Sequence, residues 1–174
     1  HEAVIVGGCV RDSIMEYTPH DWDIATSAQP TEIIEIFKDF RIMTAGLKHG
    51  TVTIIIDHEP YEITTYRVDG KYTDYRRPDT VSYTRNLAED LLRRDFTINA
   101  IAYDGENIID LHGGVDDIKN KIIRCVGNPD DRFREDPLRI LRALRFAVRF
   151  KFKIEESTAT AMRKHMVLLD HIAI

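Results

Sequence analysis

The sequence predicts an α+β fold: a mixed, largely antiparallel sheet with flanking helices, followed by an all-helical continuation. Three observations predict it. Short β-like runs alternate with helical stretches ahead of residue 128. Three of those runs, 41–45, 51–57 and 61–67, follow one another as a meander. Past Asn128-Pro129 the texture changes to arginine-rich helices. A boundary placed there divides the chain into an α+β unit over 1–128 and the start of a helical unit over 129–174, the rest of which is absent.

Residues 3–6, with Val4-Ile5-Val6, read as a short buried strand that meets the turn Gly7-Gly8, and 10–15 continue as a helix. The stretch 20–26 reads as a second strand, because Trp22 and Ile24 alternate with Asp21 and Asp23 at a period of two. One face is then buried and both acids share the other. Ser27 and Pro30 open a helix in which Ile33, Ile34 and Phe37 recur at helical spacing. The meander follows, its last two runs joined by Asp57-His58-Glu59-Pro60. From 68 to 83 the chain is polar, carries Gly70 and Pro78 and keeps no period, so a long loop is expected, of the kind that is usually functional or mobile. Residues 86–92 return to helix, 101–104 to strand, and a run at 108–111 precedes Gly113-Gly114. After Pro137, Ile140, Leu141, Leu144, Ala147 and Val148 form one apolar arc at about 100° per residue, with Arg142, Arg145 and Arg149 opposite.

Composition excludes several classes. At 174 residues, 43% hydrophobic and 30% charged, the chain suits one globular core or one core and part of another. It begins at His1 and enters a strand at once, and it stops within a helical stretch, so it reads as trimmed at both ends. No run approaches the roughly 18 apolar residues of a membrane span, and no leader is visible, so a cytoplasmic protein without a membrane partner is expected. Cys9 and Cys125 lack zinc or disulfide spacing and read as buried thiols. The net charge of -5 is uneven. Six arginines face two carboxylates, Glu135 and Asp136, between Arg132 and Arg149, with no lysine. A planar five-donor fork suits phosphates and base edges, whereas solubility alone is served equally by lysine.

Asp21 and Asp23 carry the chemistry. Like charges adjacent on one strand face are unfavourable unless a cation or arginine compensates, and such a pair can hold two divalent cations. Glu62, on a neighbouring run, is the candidate third carboxylate. Gly7-Gly8 is neither a P-loop, since no GK[ST] follows, nor a dinucleotide fingerprint, since the third glycine is missing. With Arg11 beside it, the turn suits a triphosphate. Asn99 stands at helical spacing from Asp95, so with Arg94 it can hold a ribose or phosphate. Asp136-Pro137 also fits a helix cap followed by proline at the first helical position. The combination reads as nucleotidyl transfer.

Gly7-Gly8-Cys9-Val10-Arg11-Asp12, Asp21-Trp22-Asp23-Ile24-Ala25-Thr26, Arg93-Arg94-Asp95-Phe96-Thr97-Ile98-Asn99-Ala100 and Glu135-Asp136-Pro137-Leu138-Arg139, in that order, resemble the bacterial-type (class II) tRNA nucleotidyltransferases and their poly(A) polymerase relatives. The resemblance implies a nucleotidyltransferase catalytic head and a helical neck. It implies a two-metal Mg²⁺ site on Asp21 and Asp23, triphosphate contacts at Gly8 and Arg11, and sugar and phosphate contacts at Arg94, Asp95 and Asn99. Asp136 and Arg139 would pair with the base edge of CTP or ATP, with Arg142 and Arg145 as further nucleotide contacts, and the tRNA 3′ end would be the acceptor. Asp110-Leu111-His112-Gly113-Gly114 with Asp117 matches a structural or hinge-like motif. The loop from Asp69 to Pro78, with Asp74, Arg76 and Arg77, resembles that of enzymes able to add the terminal adenosine. A poly(A) polymerase, an A-adding-only enzyme and a catalytically silent nucleotide- or RNA-binding module stay open as alternatives.

Overall fold

The computed structural model describes residues 1–75 and 78–171; Arg76 and Arg77 of the long polar stretch lie outside the described residues. Strand β1 (Ala3–Val6) passes into α1 (Gly8–Ile14) through Gly7, whose φ of 85° is a left-handed conformation that glycine enters without steric cost. β2 (Asp23–Thr26) returns antiparallel to β1. α2 (Pro30–Ile36) opens on a capping box in which the Gln29 backbone N–H donates to Glu32 at 2.7 Å. β3 (Arg41–Met43), β4 (Thr51–Ile56) and β5 (Glu59–Thr65) form the expected antiparallel meander.

β6 (Arg67–Asp69) and β7 (Val81–Tyr83) pair as a separate ribbon ahead of α3 (Leu87–Leu92). β8 (Ile101–Tyr103) and β9 (Ile108–Asp110) complete the main sheet, and α4 (Gly114–Asn120) and β10 (Ile122–Ile123) follow. α5 (Pro129–Glu135), α6 (Leu138–Phe150), β11 (Lys153–Ile154) and α7 (Glu156–His165) follow, and a short 3-10 turn covers Met166–His171. The seven strands of the main sheet run β3-β4-β5-β2-β1-β8-β9. All neighbours are antiparallel except β2 and β5, so the sheet is mixed and largely antiparallel, as expected.

The largest core cluster joins Cys9 and Val10 of α1, Phe96, Ile98 and Ile123 to Phe133, Ile140, Phe146 and Phe150 of the late helices. Burying these aromatic and aliphatic surfaces is the main force that fixes α6 against the sheet. Phe146 stacks on Phe150 with centroids 5.7 Å apart and meets Phe96 edge-on at 5.9 Å. No helix among the described residues is long and apolar enough to cross a membrane.

Four expectations are corrected. β2 begins at Asp23, so Asp21 stands just ahead of the strand, and Trp22 is 43% exposed rather than buried. The stretch 68–83 is not loop throughout, because its two ends close the β6–β7 ribbon. The late segment is not wholly helical, since β11 pairs in parallel with β10. On α6 the buried residues are Arg139, Ile140, Ala143, Phe146 and Phe150, while Leu141, Leu144 and Val148 are exposed. The aromatic rings bury more surface than the leucine and valine stripe, and they decide which way the helix faces.

Both cysteines are free and buried. Burial pushes the Cys125 thiol up to about 12 and raises that of Cys9. At pH 8 neither is expected to react with iodoacetamide in the folded protein, while both react in denaturant, as read by mass spectrometry. Rapid labelling of the native protein would contradict this.

Candidate active site

A cavity of about 650 Å³ opens where the end of β1, the start of β2, the segment after α3 and α6 converge. Gly7, Gly8, Arg11, Asp21, Asp23, Arg94, Asp95, Asn99, Asp136, Arg139, Arg142 and Arg145 all line it. Every expected site residue except Glu62 is thus in one place. Glu62 lies in register with Asp23 on the adjacent parallel strand, and its charge reaches Asp23, but it does not line the cavity.

Burial raises the Asp23 carboxyl above the usual carboxylate range; the charges of Asp21 and Glu62 add to this and Arg94 opposes it. A carboxylate crowded in this way is stabilised by any cation placed beside it. Two hard oxygen donors at the cavity wall therefore fit a divalent ion. Among the described residues no group of three or more His, Cys, Asp or Glu side chains closes on a metal-sized site, so the expected three-carboxylate set is not assembled.

The arginines are held in place by other residues. Arg11 is 5% exposed; its Nη1 donates to Asn99 Oδ1 at 2.5 Å and its Nη2 pairs with Asp12 at 2.6 Å. Asn99 Nδ2 donates to Asp95 Oδ1 at 3.1 Å, but the two are not on one helix as their spacing suggests: Phe96 between them is extended and only Thr97–Asn99 wind into a short turn. Asp95 Oδ2 in turn accepts from Arg142 Nε at 2.8 Å and pairs with its Nη2 at 2.6 Å. One chain of bonds therefore runs from α1 to α6. Arg142 reaches the cavity already engaged, and not solely as a contact held ready for a nucleotide. Arg142 and Arg145 both lie over the Phe146 ring, at 5.5 Å from its centroid.

Arg139 is buried, and its Nη1 donates to Glu135 Oε2 at 2.7 Å. Burial works against its charge, but Glu135 and Tyr72 outweigh that and raise its pKa. Asp136 Oδ1 accepts from the N–H of Leu138, the first residue of α6, at 2.9 Å, and the residue also lines the cavity; the N-cap position expected of it is taken by Pro137. Asp110 accepts from the N–H groups of Gly114 and Val115 at 2.9 and 2.8 Å, and Asp117 from the Thr97 hydroxyl at 2.6 Å. Both carboxylates tie α4 to neighbouring turns.

Sequence reasoning missed Asp12, His20, Arg93 and Phe146 in the cavity wall. It also missed Asp90, which is 1% exposed and bonded to both Arg93 and Arg94. The spacing of Asp90 from the two arginines, three and four residues along a helix, is the signal that would have found it.

Residues 3–124 match the family described as the Poly A polymerase head domain. The chain is 51% identical over 174 residues to a CCA-adding enzyme of Enterococcus faecalis, covering 99% of this chain and 42% of that protein. It is 49% identical to a CCA-adding enzyme of Bacillus velezensis, covering 100% of this chain and 44% of that one. The Bacillus stearothermophilus CCA-adding enzyme, solved in complex with CTP, superposes with a TM-score of 0.89 at 42% identity, over 98% of this chain and 41% of that one. A tRNA nucleotidyltransferase solved with a primer tRNA and an incoming ATP analog gives a TM-score of 0.75 at 35% identity, over 95% of this chain and 47% of that one. The chain spans less than half the length of these relatives. With the matched segment carrying the glycine turn, both aspartates and the Arg94-Asp95-Asn99 group, this chain belongs to the poly(A) polymerase head-domain family.

Proposed function

We propose that this chain is the catalytic part of an enzyme that transfers CMP and AMP from CTP and ATP to the 3′ end of tRNA without a nucleic-acid template, in the cytoplasm. The observation that carries the reading is the single cavity in which two acidic residues face a wall of arginines held by buried carboxylates. Likeness to CCA-adding enzymes over nearly the whole chain supports it. Residues 1–128 form the head and 129–174 the beginning of the helical neck, a division supported by the family match ending at residue 124.

The chain's own residues divide the work. Gly8 and Arg11 receive the triphosphate at the turn, and Arg94 faces it from the segment after α3. Asp95 and Asn99 meet the sugar. Asp136 and Arg139 offer an acceptor and a forked donor to the base edge, a combination that suits the amino group and ring nitrogen common to cytosine and adenine. Arg142 and Arg145 add further contacts to the nucleotide, and Arg11 and Arg94 offset the charge that develops in the transfer. Mg²⁺ bound at Asp21 and Asp23 would supply activation of the RNA 3′-hydroxyl and neutralisation of the phosphates. The 69–78 segment, where Tyr72 donates to Asp69 at 2.9 Å, would be the loop that serves adenosine addition.

The deciding experiment incubates the full-length protein with Mg²⁺, labelled CTP or ATP separately and together, and either tRNA lacking its tail or a non-tRNA primer. Ordered C and A addition confined to tRNA is the expected result. Adenylate runs on any primer would make it a poly(A) polymerase, and no incorporation would make it a binding module. Arg139→Ala is expected to relax the preference for CTP and ATP over UTP and GTP, since losing one forked donor costs roughly 1–3 kcal/mol of discrimination. An unchanged preference, measured as the ratio of kcat/KM values, would remove Arg139 from base selection.

A further inference from the structure

Asp90 stands in the last turn of α3, 1% exposed, with both carboxylate oxygens occupied. Oδ1 accepts from Arg93 Nε at 3.0 Å, Arg93 Nη2 at 2.8 Å and the Arg67 backbone N–H at 3.2 Å. Oδ2 accepts from Arg94 Nη2 at 3.0 Å. The other arm of the Arg94 fork faces the glycine turn. A Cβ added at Gly7 would stand 3.2 Å from Arg94 Nη1 and 3.9 Å from Asp23 Oδ2. Arg94 is therefore held between two acids, one buried behind it and one in the cavity.

We propose that Asp90 is a positioning residue that acts through Arg94, anchoring one arm of the guanidinium so that the other presents to a bound triphosphate instead of closing on Asp23. This rests on the reading of the cavity as a nucleotide site. A planar fork with one edge fixed loses little further freedom when a phosphate binds, whereas an untethered arginine would be drawn to the Asp23 carboxylate, whose charge already acts on it. The same anion fixes Arg93 and, through the Arg67 N–H, the start of β6, so the anchor is part of the fold and does not depend on ligand.

A binding cycle on the full-length protein tests the proposal. Asp90→Asn is expected to weaken ATP binding, read by calorimetry, about tenfold, the loss of one charge-assisted anchor. Arg94→Gln should weaken it similarly, and the double variant no further than Arg94→Gln alone, because one effect passes through the other. Additive losses, wild-type affinity in Asp90→Asn, or no ATP binding by the wild type would overturn it. If Asp90→Asn fails to fold, side-chain NMR of the wild type decides: a rotationally arrested Arg94 guanidinium before nucleotide is added supports the anchor, and a freely rotating one overturns it. Wild-type protein that binds ATP but extends no primer would sink the proposed function while this cycle still reads out Asp90.

Discussion

Asp23→Ala is expected to abolish nucleotidyl transfer while leaving triphosphate binding partly intact. The two effects separate because different walls of the cavity serve them. Arg11, Arg94, Arg142 and Arg145 stay in place in the variant, three of them fixed by Asn99, Asp90 and Asp95 and the fourth packed over Phe146. Removing Asp23 also takes away a negative charge that Arg94 feels across the cavity, while its ion pair with Asp90 stays. What disappears is the carboxylate whose crowding by Asp21 marks the cation-compatible corner. Losing charge stabilisation worth several kcal/mol corresponds to a drop in kcat of about three orders of magnitude or more. Single-turnover incorporation of labelled nucleotide, paired with calorimetric nucleotide binding, measures both. Incorporation within tenfold of wild type would remove Asp23 from the chemistry.

Gly114→Ala is expected to destabilise the fold strongly, although no side chain is lost. A Cβ at this first residue of α4 would overlap the Thr97 carbonyl oxygen and lie 2.7 Å from its carbon, both backbone atoms. Thr97 cannot give way freely. Its N–H donates to the Arg124 carbonyl at 2.9 Å and its hydroxyl to Asp117, and it opens the short turn Thr97–Asn99 that carries Asn99 into the cavity. Overpacking against a fixed backbone costs about 3 kcal/mol, which for a domain of this size lowers Tm by roughly 6–12 °C. Gly113→Asn is the control, because a Cβ there meets nothing within 4 Å and asparagine tolerates its φ of 74°. A Gly114→Ala melt that matches wild type would show the two segments to be less tightly pressed than their geometry indicates.

The legible parts of this protein are those whose cause is local. Gly7 marked a turn because its backbone angle excludes a side chain, and the meander followed from period-two runs divided by turn residues. Asp95 and Asn99 do meet, though across an extended Phe96 and a short turn and not along a helix, and Asp136 accepts the first N–H of the next helix while Pro137 takes its cap position. The face of α6 was misread because two apolar stripes compete along that helix, and only the presence of Phe96 and Phe133 across the core favours the one with the rings. Trp22 was misread because strand alternation was extended past the point where pairing begins.

By itself the sequence determined the order of the main elements and most residues of the cavity wall, since turn chemistry, periodicity and motif spacing are written in neighbouring residues. The tertiary structure decided which of these residues act on one another. The parallel pairing of β2 with β5 set Glu62 beside Asp23 yet outside the cavity. The bond between Asp95 and Arg142 joined residues 47 positions apart. Asp90 became the anchor of two arginines because burial leaves a carboxylate no water to turn to, and the nearest cations must satisfy it.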